Sequence, residues 1–228
     1  RAFSKIKGGR LAEVIYPAKL TTYMISDIPG DDPSYIGSGP TVQATGSNND
    51  AIKILNDYKI HINENLKEVI IKNQLPKILN SPTYMIASPM MALKSAYNEA
   101  EKLGFKPIIV SDSLEGEARL EGKKMAELAI KIKKEKKFRD IFLEQPILLL
   151  SGGETTVTVK GNGKGGRNTE FMLSMAIHLK EANAITALSI DTDGIDGVED
   201  NAGAFISDQT LKKAKSKNLE PQKFLYNN

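Results

Sequence analysis

Cations, carboxylates and glycines gather in one stretch, Ser151 to Glu170, which reads S-G-G-E-T-T-V-T-V-K-G-N-G-K-G-G-R-N-T-E. Gly152, Gly153, Gly161, Gly163, Gly165 and Gly166 are interleaved with Lys160, Lys164 and Arg167, and the apolar run Ile147 to Leu150 ahead of them reads as a buried strand. Glycine admits positive φ and lets backbone approach a ligand closely, while N–H groups, cationic heads and a helix start face the same space. Such a segment suits an anion, phosphate above all, and Glu154 and Arg167 bracket it. The same string also admits a plainer reading: a surface hairpin in which Thr155 to Lys160 is one alternating strand and the charges are merely solvated.

Two more segments place carboxylates where strands end. Thr21 to Ile28 reads as a strand that runs into Pro29-Gly30-Asp31-Asp32-Pro33, and Ala184 to Ile190 as one that empties into Asp191-Thr192-Asp193-Gly194-Ile195-Asp196-Gly197. In an open parallel sheet, ligands sit beyond the carboxyl ends of the strands. The Ser151–Glu154 turn, Lys164 to Arg167, Asp191 to Asp196 and Asp27 are therefore expected to line one concave surface. Carboxylates facing a cationic phosphate cradle are the equipment of magnesium-dependent phosphoryl transfer. Each Asp-rich loop is also a good turn former in its own right. As a calcium loop the last one fails, because Ile195 stands where an oxygen ligand belongs.

Other chemistries are excluded by what is missing. The chain has no cysteine and its only histidines are His61 and His178, so thiolate catalysis, a cysteine zinc site and a His-dependent triad are not expected. His178 falls in the apolar run Phe171 to Leu179, where a satisfied helix histidine is the ordinary explanation. A formal charge of +3, from 31 basic and 28 acidic side chains, is too balanced to imply a nucleic-acid partner. No apolar run approaches a membrane span and no signal peptide stands at the start, so a cytoplasmic protein is expected. G-x-x-x-x-G-K-[ST] is absent, since Arg167 and Asn168 follow Gly166. Gly161, Gly163 and Gly166 do spell G-x-G-x-x-G, the weak end of a dinucleotide signature, with Asp191 the one candidate for the ribose hydroxyls.

The elements that must position these residues alternate. Asp50 is expected to cap a helix through about Tyr58, and Asn63 to Lys72 to form another. After Asn80-Ser81-Pro82 come a strand (Thr83 to Ala87), a helix (Met91 to Leu103), a strand (Pro107 to Val110) and a long amphipathic helix between Glu117 and Arg139 with Met125, Leu128, Ala129 and Ile132 on its apolar stripe. A helix follows from about Thr169 to Leu179, and Asp208 is expected to cap a last one through Lys217. The class is α/β with a mainly parallel sheet and one antiparallel hairpin. The motif K-G-G-R occurs at Lys7 to Arg10 and again at Lys164 to Arg167.

S-G-G-E-T-T-V-T-V-K-G-N-G-K-G-G-R-N-T-E-F, followed by D-T-D-G-I-D-G and N-A-G-A-F, resembles the C-terminal domain of the type 2 glycerate kinases, the MOFRL family. S-D-I-P-G-D-D-P-S-Y-I-G-S-G-P-T and S-K-I-K-G-G-R-L-A are similar to the end of that family's first domain. The resemblance implies ATP-dependent phosphorylation of D-glycerate to 2-phosphoglycerate, with magnesium, in a cleft between two domains. It implies a Rossmann-like parallel sheet portion over residues 1–80 and a second mixed α/β domain over 81–228, with helices on both faces. Most of the first domain and the C-terminal end of the second are expected to be missing from the chain.

By position Arg167 takes the place of the family's active-site arginine, and Lys7 lies in the matching K-G-G segment. Arg167 and Lys7, with Asp193 from the carboxylate loop after Ile190, are the candidate catalytic residues. Ser151, Gly152, Gly153, Glu154, Thr155, Lys164, Gly165, Gly166 and Asn168 are the candidate ATP-binding residues, and Asp27 and Asp191 the candidate magnesium ligands. Glycerate is the expected partner, and a homodimer is allowed. Two alternatives stand beside the kinase: an NAD(P)H-dependent hydroxypyruvate reductase, and a non-catalytic module that binds a phosphorylated metabolite.

Overall fold

The computed structural model describes residues 1–76, 81–135, 145–180, 182, 184–198 and 200–227. The architecture is α/β, with Arg1–Ala92 and Leu93–Asn228 forming two compact units. Asn80, where the sequence places a domain boundary, and the expected helix end at Arg139 lie outside the described residues.

In the first unit Thr22–Ile25 (β1) and Thr83–Ala87 (β2) pair in parallel. Arg10–Ile15 (α1), Asn48–Asp57 (α2) and Glu64–Lys72 (α3) are its helices. Asp50 does not cap α2 as expected; Ser47 does, and Asp50 closes the capping box from the third helical position by accepting from the Ser47 N–H at 2.7 Å. Asn63 caps α3 as its sequence suggests, accepting from Leu66 N–H at 2.8 Å.

Pro89–Lys102 (α4) leads into the second unit, where Lys106–Glu117 (β3) and Ile147–Thr156 (β4) form a parallel pair joined across Ala118–Lys134 (α5). Arg167–Leu179 (α6) follows β4, then Ala187–Ile190 (β5), Gly203–Ile206 (β6), Thr210–Ser216 (α7) and Pro221–Tyr226 (α8). Two expectations need correction. Ser151–Glu154 is not a turn, and Thr155 to Lys160 is not a separate hairpin strand. Ser151 to Thr156 continues β4, in register with Ser111 to Glu117 of β3, and the antiparallel pair is β5 with β6. Gly153 makes the continuation feasible: its φ is 143°, and a Cβ there would stand 2.2 Å from the Leu114 nitrogen. The helix expected from Asp208 starts at Thr210 instead, after Gln209, and α8 was not foreseen.

The core of this unit lies between α5 and α6. Ala118 and Ala126 meet Phe171, Met172, Met175, Ala176 and Leu179, with Ile206 of β6 closing the cluster. The i, i+4 spacing on both helices makes each a single apolar stripe. Gly122 lets the two backbones touch, since a Cβ there would lie 2.3 Å from the Phe171 carbonyl oxygen. Beside it Arg119 Nε donates to the buried Glu170 at 2.8 Å, and the Ser174 hydroxyl donates to the Arg119 carbonyl.

Candidate functional site

Arg167 opens α6, and the fold delivers carboxylates to it from two strands. Asp191 follows directly on β5, and its Oδ2 accepts from Arg167 Nε at 3.0 Å and Nη2 at 2.8 Å. Glu154, near the end of β4, accepts from Arg167 Nη1. These hydrogen bonds, that from Asp191 foremost, raise the guanidinium pKa above its ordinary value, so Arg167 is a fixed cation. The partners differ in solvent access: the Asp191 side chain is 13% exposed and that of Glu154 52%. Asp191 therefore orients the guanidinium. Glu154 is the partner that an incoming anion can displace, because a water-accessible pair is worth little.

Asn168 extends the network. Its Nδ2 donates to Asp196 Oδ1 at 3.2 Å and Asp191 Oδ2 at 3.4 Å, and its Oδ1 accepts from the Ser189 hydroxyl of β5. Asp196, fully buried, takes the Asn168 and Thr169 backbone N–H groups at 2.9 and 2.8 Å. The first turn of α6 is thus capped by a carboxylate of this chain. Sequence reasoning placed Asp196 in the loop but gave it no role; a cap borne by a residue 28 positions away leaves no local signature.

A cavity of about 800 Å³ opens beside this network, within the second unit. Its polar wall is Lys164, Gly165, Gly166, Arg167, Asp191 and Asp193; its apolar wall includes Val157, Val159, Leu173, Ile195, Val198 and Phe224. Lys164, Gly165, Gly166 and Thr155 thus line one space with Arg167, Asp191 and Asp193. Glu154 joins through its contact with Arg167. Ser151, Gly152 and Gly153 lie in the β3–β4 ladder and are not among the lining residues, nor is Asn168, whose side chain turns to Asp191, Asp196 and Ser189. Asp193 is exposed and its Oδ1 accepts from the Ile195 N–H at 2.9 Å.

Lys7 and Asp27 belong to the first unit, both exposed, Asp27 just beyond the carboxyl end of β1. The two K-G-G-R segments differ. Arg10 is 4% exposed and spends its guanidinium on the backbone carbonyls of Arg1, Lys7, Asn73 and Gln74, whereas Arg167 faces carboxylates and a cavity. His178, with Nδ1 2.8 Å from the Ser174 carbonyl oxygen, is a helix histidine and does not line the cavity.

Among the described residues no three acidic or histidine side chains cluster to hold a metal by themselves. Asp191 and Asp193 on the cavity wall still fit a magnesium ion that arrives with a nucleotide. Magnesium then takes one or two protein carboxylates, and phosphates and waters supply the rest. No helix of the described residues is long and apolar enough to cross a membrane.

Residues 147–228 match the MOFRL family, and residues 1–71 a domain family of unknown function, DUF4147. A "D-glycerate 2-kinase" of Thermotoga maritima is 38% identical over 99% of this chain and 53% of the relative. A solved glycerate kinase structure from Thermotoga maritima superposes with a TM-score of 0.86 at 38% identity, covering 100% of this chain and 54% of that one. A protein of Agrobacterium vitis named "Putative hydroxypyruvate reductase" is 43% identical over 96% of this chain and 50% of its own length. The chain spans about half the length of the curated relatives it matches.

Proposed function

We propose, because residues 147–228 match the MOFRL family and proteins named glycerate kinase are among the chain's relatives, that the chain carries the phosphoryl-transfer site of an ATP-dependent glycerate 2-kinase. The observation that supports this reading is Arg167, held by Asp191 and Glu154 on the wall of a cavity that has one charged and one apolar side.

In the proposed reaction the 2-hydroxyl oxygen of glycerate bonds to the γ-phosphorus of ATP while the bond to the β,γ-bridging oxygen breaks. ADP leaves and the hydroxyl proton passes to a carboxylate. Arg167 leaves Glu154 for the equatorial phosphoryl oxygens. It suits them because a guanidinium is planar, bidentate and permanently charged. Lys164 adds positive charge along the phosphates, and the wall of Val159, Leu173 and Phe224 suits the flat face of the base. Asp193 orients the glycerate hydroxyl and receives its proton, and Asp191 keeps Arg167 in register. Magnesium, bound through Asp191, would neutralise charge on the β- and γ-phosphate oxygens.

A reductase is the second reading, favoured by the name of the Agrobacterium vitis relative. The local structure supports it less well. In a dinucleotide site the pyrophosphate rests on helix N–H groups, and here those of Asn168 and Thr169 are already taken by Asp196. The whole protein should release ADP from ATP only when D-glycerate is present and should not oxidise NADH with hydroxypyruvate. Glycerate-independent behaviour with NADH turnover would overturn the kinase reading. Phosphate-ester binding with neither activity would leave the non-catalytic module.

A further inference from the structure

The most buried charged group near the site touches neither the cavity nor Arg167. Asp196 is 0% exposed, and its two oxygens accept from two consecutive backbone N–H groups in the first turn of α6. Its own N–H is tied to the Asn201 carbonyl at 2.7 Å, which anchors the loop that presents it. Close approach on both sides keeps it there. A Cβ on Gly166 would stand 2.4 Å from Asp196 Oδ1, and a Cβ on Gly197 2.3 Å from the Gly165 carbonyl oxygen. The contacts run on without a gap. Asn168 Nδ2 bridges Asp196 Oδ1 and Asp191 Oδ2, the Ser189 hydroxyl fixes the other end of the same amide, and Asp191 Oδ2 receives two N–H groups of Arg167.

A carboxylate at a helix N-terminus complements the macrodipole and satisfies donors that would otherwise be orphaned. That alone would make Asp196 a structural cap. The geometry adds two consequences. The α6 N-terminus is neutralised from within, so a transferred phosphoryl group meets side chains rather than the helix dipole. The side chain that leads from the cap, Asn168, also sets the orientation of the Asp191 carboxylate that aims Arg167. We infer that Asp196 is a positioning residue for the proposed phosphoryl transfer, acting on Arg167 through Asn168 and Asp191. This inference rests on the kinase reading above.

A double-mutant cycle in the whole protein tests it, with kcat for glycerate-dependent ADP release and KM for ATP measured for each form. Asp196→Asn should lower kcat by about tenfold to a hundredfold, the scale of loss when a reacting group is displaced by about 1 Å, with KM changed less than about threefold. In the Arg167→Lys background the same substitution should cost less than about threefold more, because residues acting as a unit are not additive. Asn168→Ala, which keeps the backbone cap, should show the same coupling at smaller amplitude, and it carries the test if Asp196→Asn does not fold. Equal fold-losses in both backgrounds, or a rise in KM at constant kcat, would overturn the positioning role. If the wild-type protein releases no ADP, the kinase reading fails by itself. The position of Arg167 is then read directly from its side-chain Nε–H nuclear magnetic resonance signal, where a shift on Asn168→Ala supports the inference and an unmoved signal removes it.

Discussion

Arg167 stands between two carboxylates of unequal strength, and its chemistry depends on which one yields. Glu154 is half exposed and holds one N–H, while Asp191 is mostly covered and holds two. Glu154→Gln should therefore strengthen phosphate binding. KM for ATP is expected to fall severalfold, with kcat changed less than about threefold on the scale of exposed ion pairs. Asp191→Asn should act the other way, since an amide turned toward the guanidinium no longer orients it. Its kcat is expected to fall about tenfold to a hundredfold, as for other losses of positioning, with the folded fraction unchanged by circular dichroism. Arg167 itself should impose no pH dependence near neutrality, because Asp191 raises a pKa that already lies far above that range. The types and order of these residues were legible in the sequence. That Asp191 is bound up with Arg167 was not, because such pairing depends on β5 ending beside the start of α6.

Element by element, strand ends and helix stripes could be read from periodicity. The misreading of Ser151 to Thr156 has a physical cause: glycine and polar residues signal turns locally, and only pairing with β3 makes them strand. The same register brings Glu117, at the end of β3, to Thr158, just past β4, where it accepts from both the hydroxyl and the backbone N–H. The hydroxyl bond, first, holds the Glu117 carboxyl below its ordinary value. A depressed carboxyl contributes stability above its unfolded pKa and loses it as pH falls through the folded value. Glu117→Gln should thus lower Tm at neutral pH, with the gap closing as the solution is acidified below the carboxylate range. Gly122→Ala tests the helix contact. A methyl 2.3 Å from the Phe171 carbonyl oxygen must push α5 off α6. The cost should be about 1–3 kcal/mol, read as a fall in Tm of about 2–4 °C for each kcal/mol.

At the scale of the molecule, the described chain holds two units and spans about half the length of its curated relatives. The polar wall of the second unit supplies the cations and carboxylates. The resemblance was legible from motifs at the two ends of the chain, and in space S-G-G-E-T and D-T-D-G-I-D-G each meet Arg167, one through Glu154 and the other through Asp191. What could not be read was the division of labour within the second motif, where Asp191 orients, Asp193 faces the cavity and Asp196 caps a helix from inside. The central claim is that Arg167 meets charge that develops on the transferring phosphoryl group. It is tested most directly by comparing wild type and Arg167→Lys in the whole protein, measuring kcat for glycerate-dependent ADP release and the Kd for ATP side by side. The account predicts that kcat falls by about 10²-fold or more, the loss typical of a donor aimed at transition-state charge, while Kd stays within about threefold. Turnover close to wild type would contradict it.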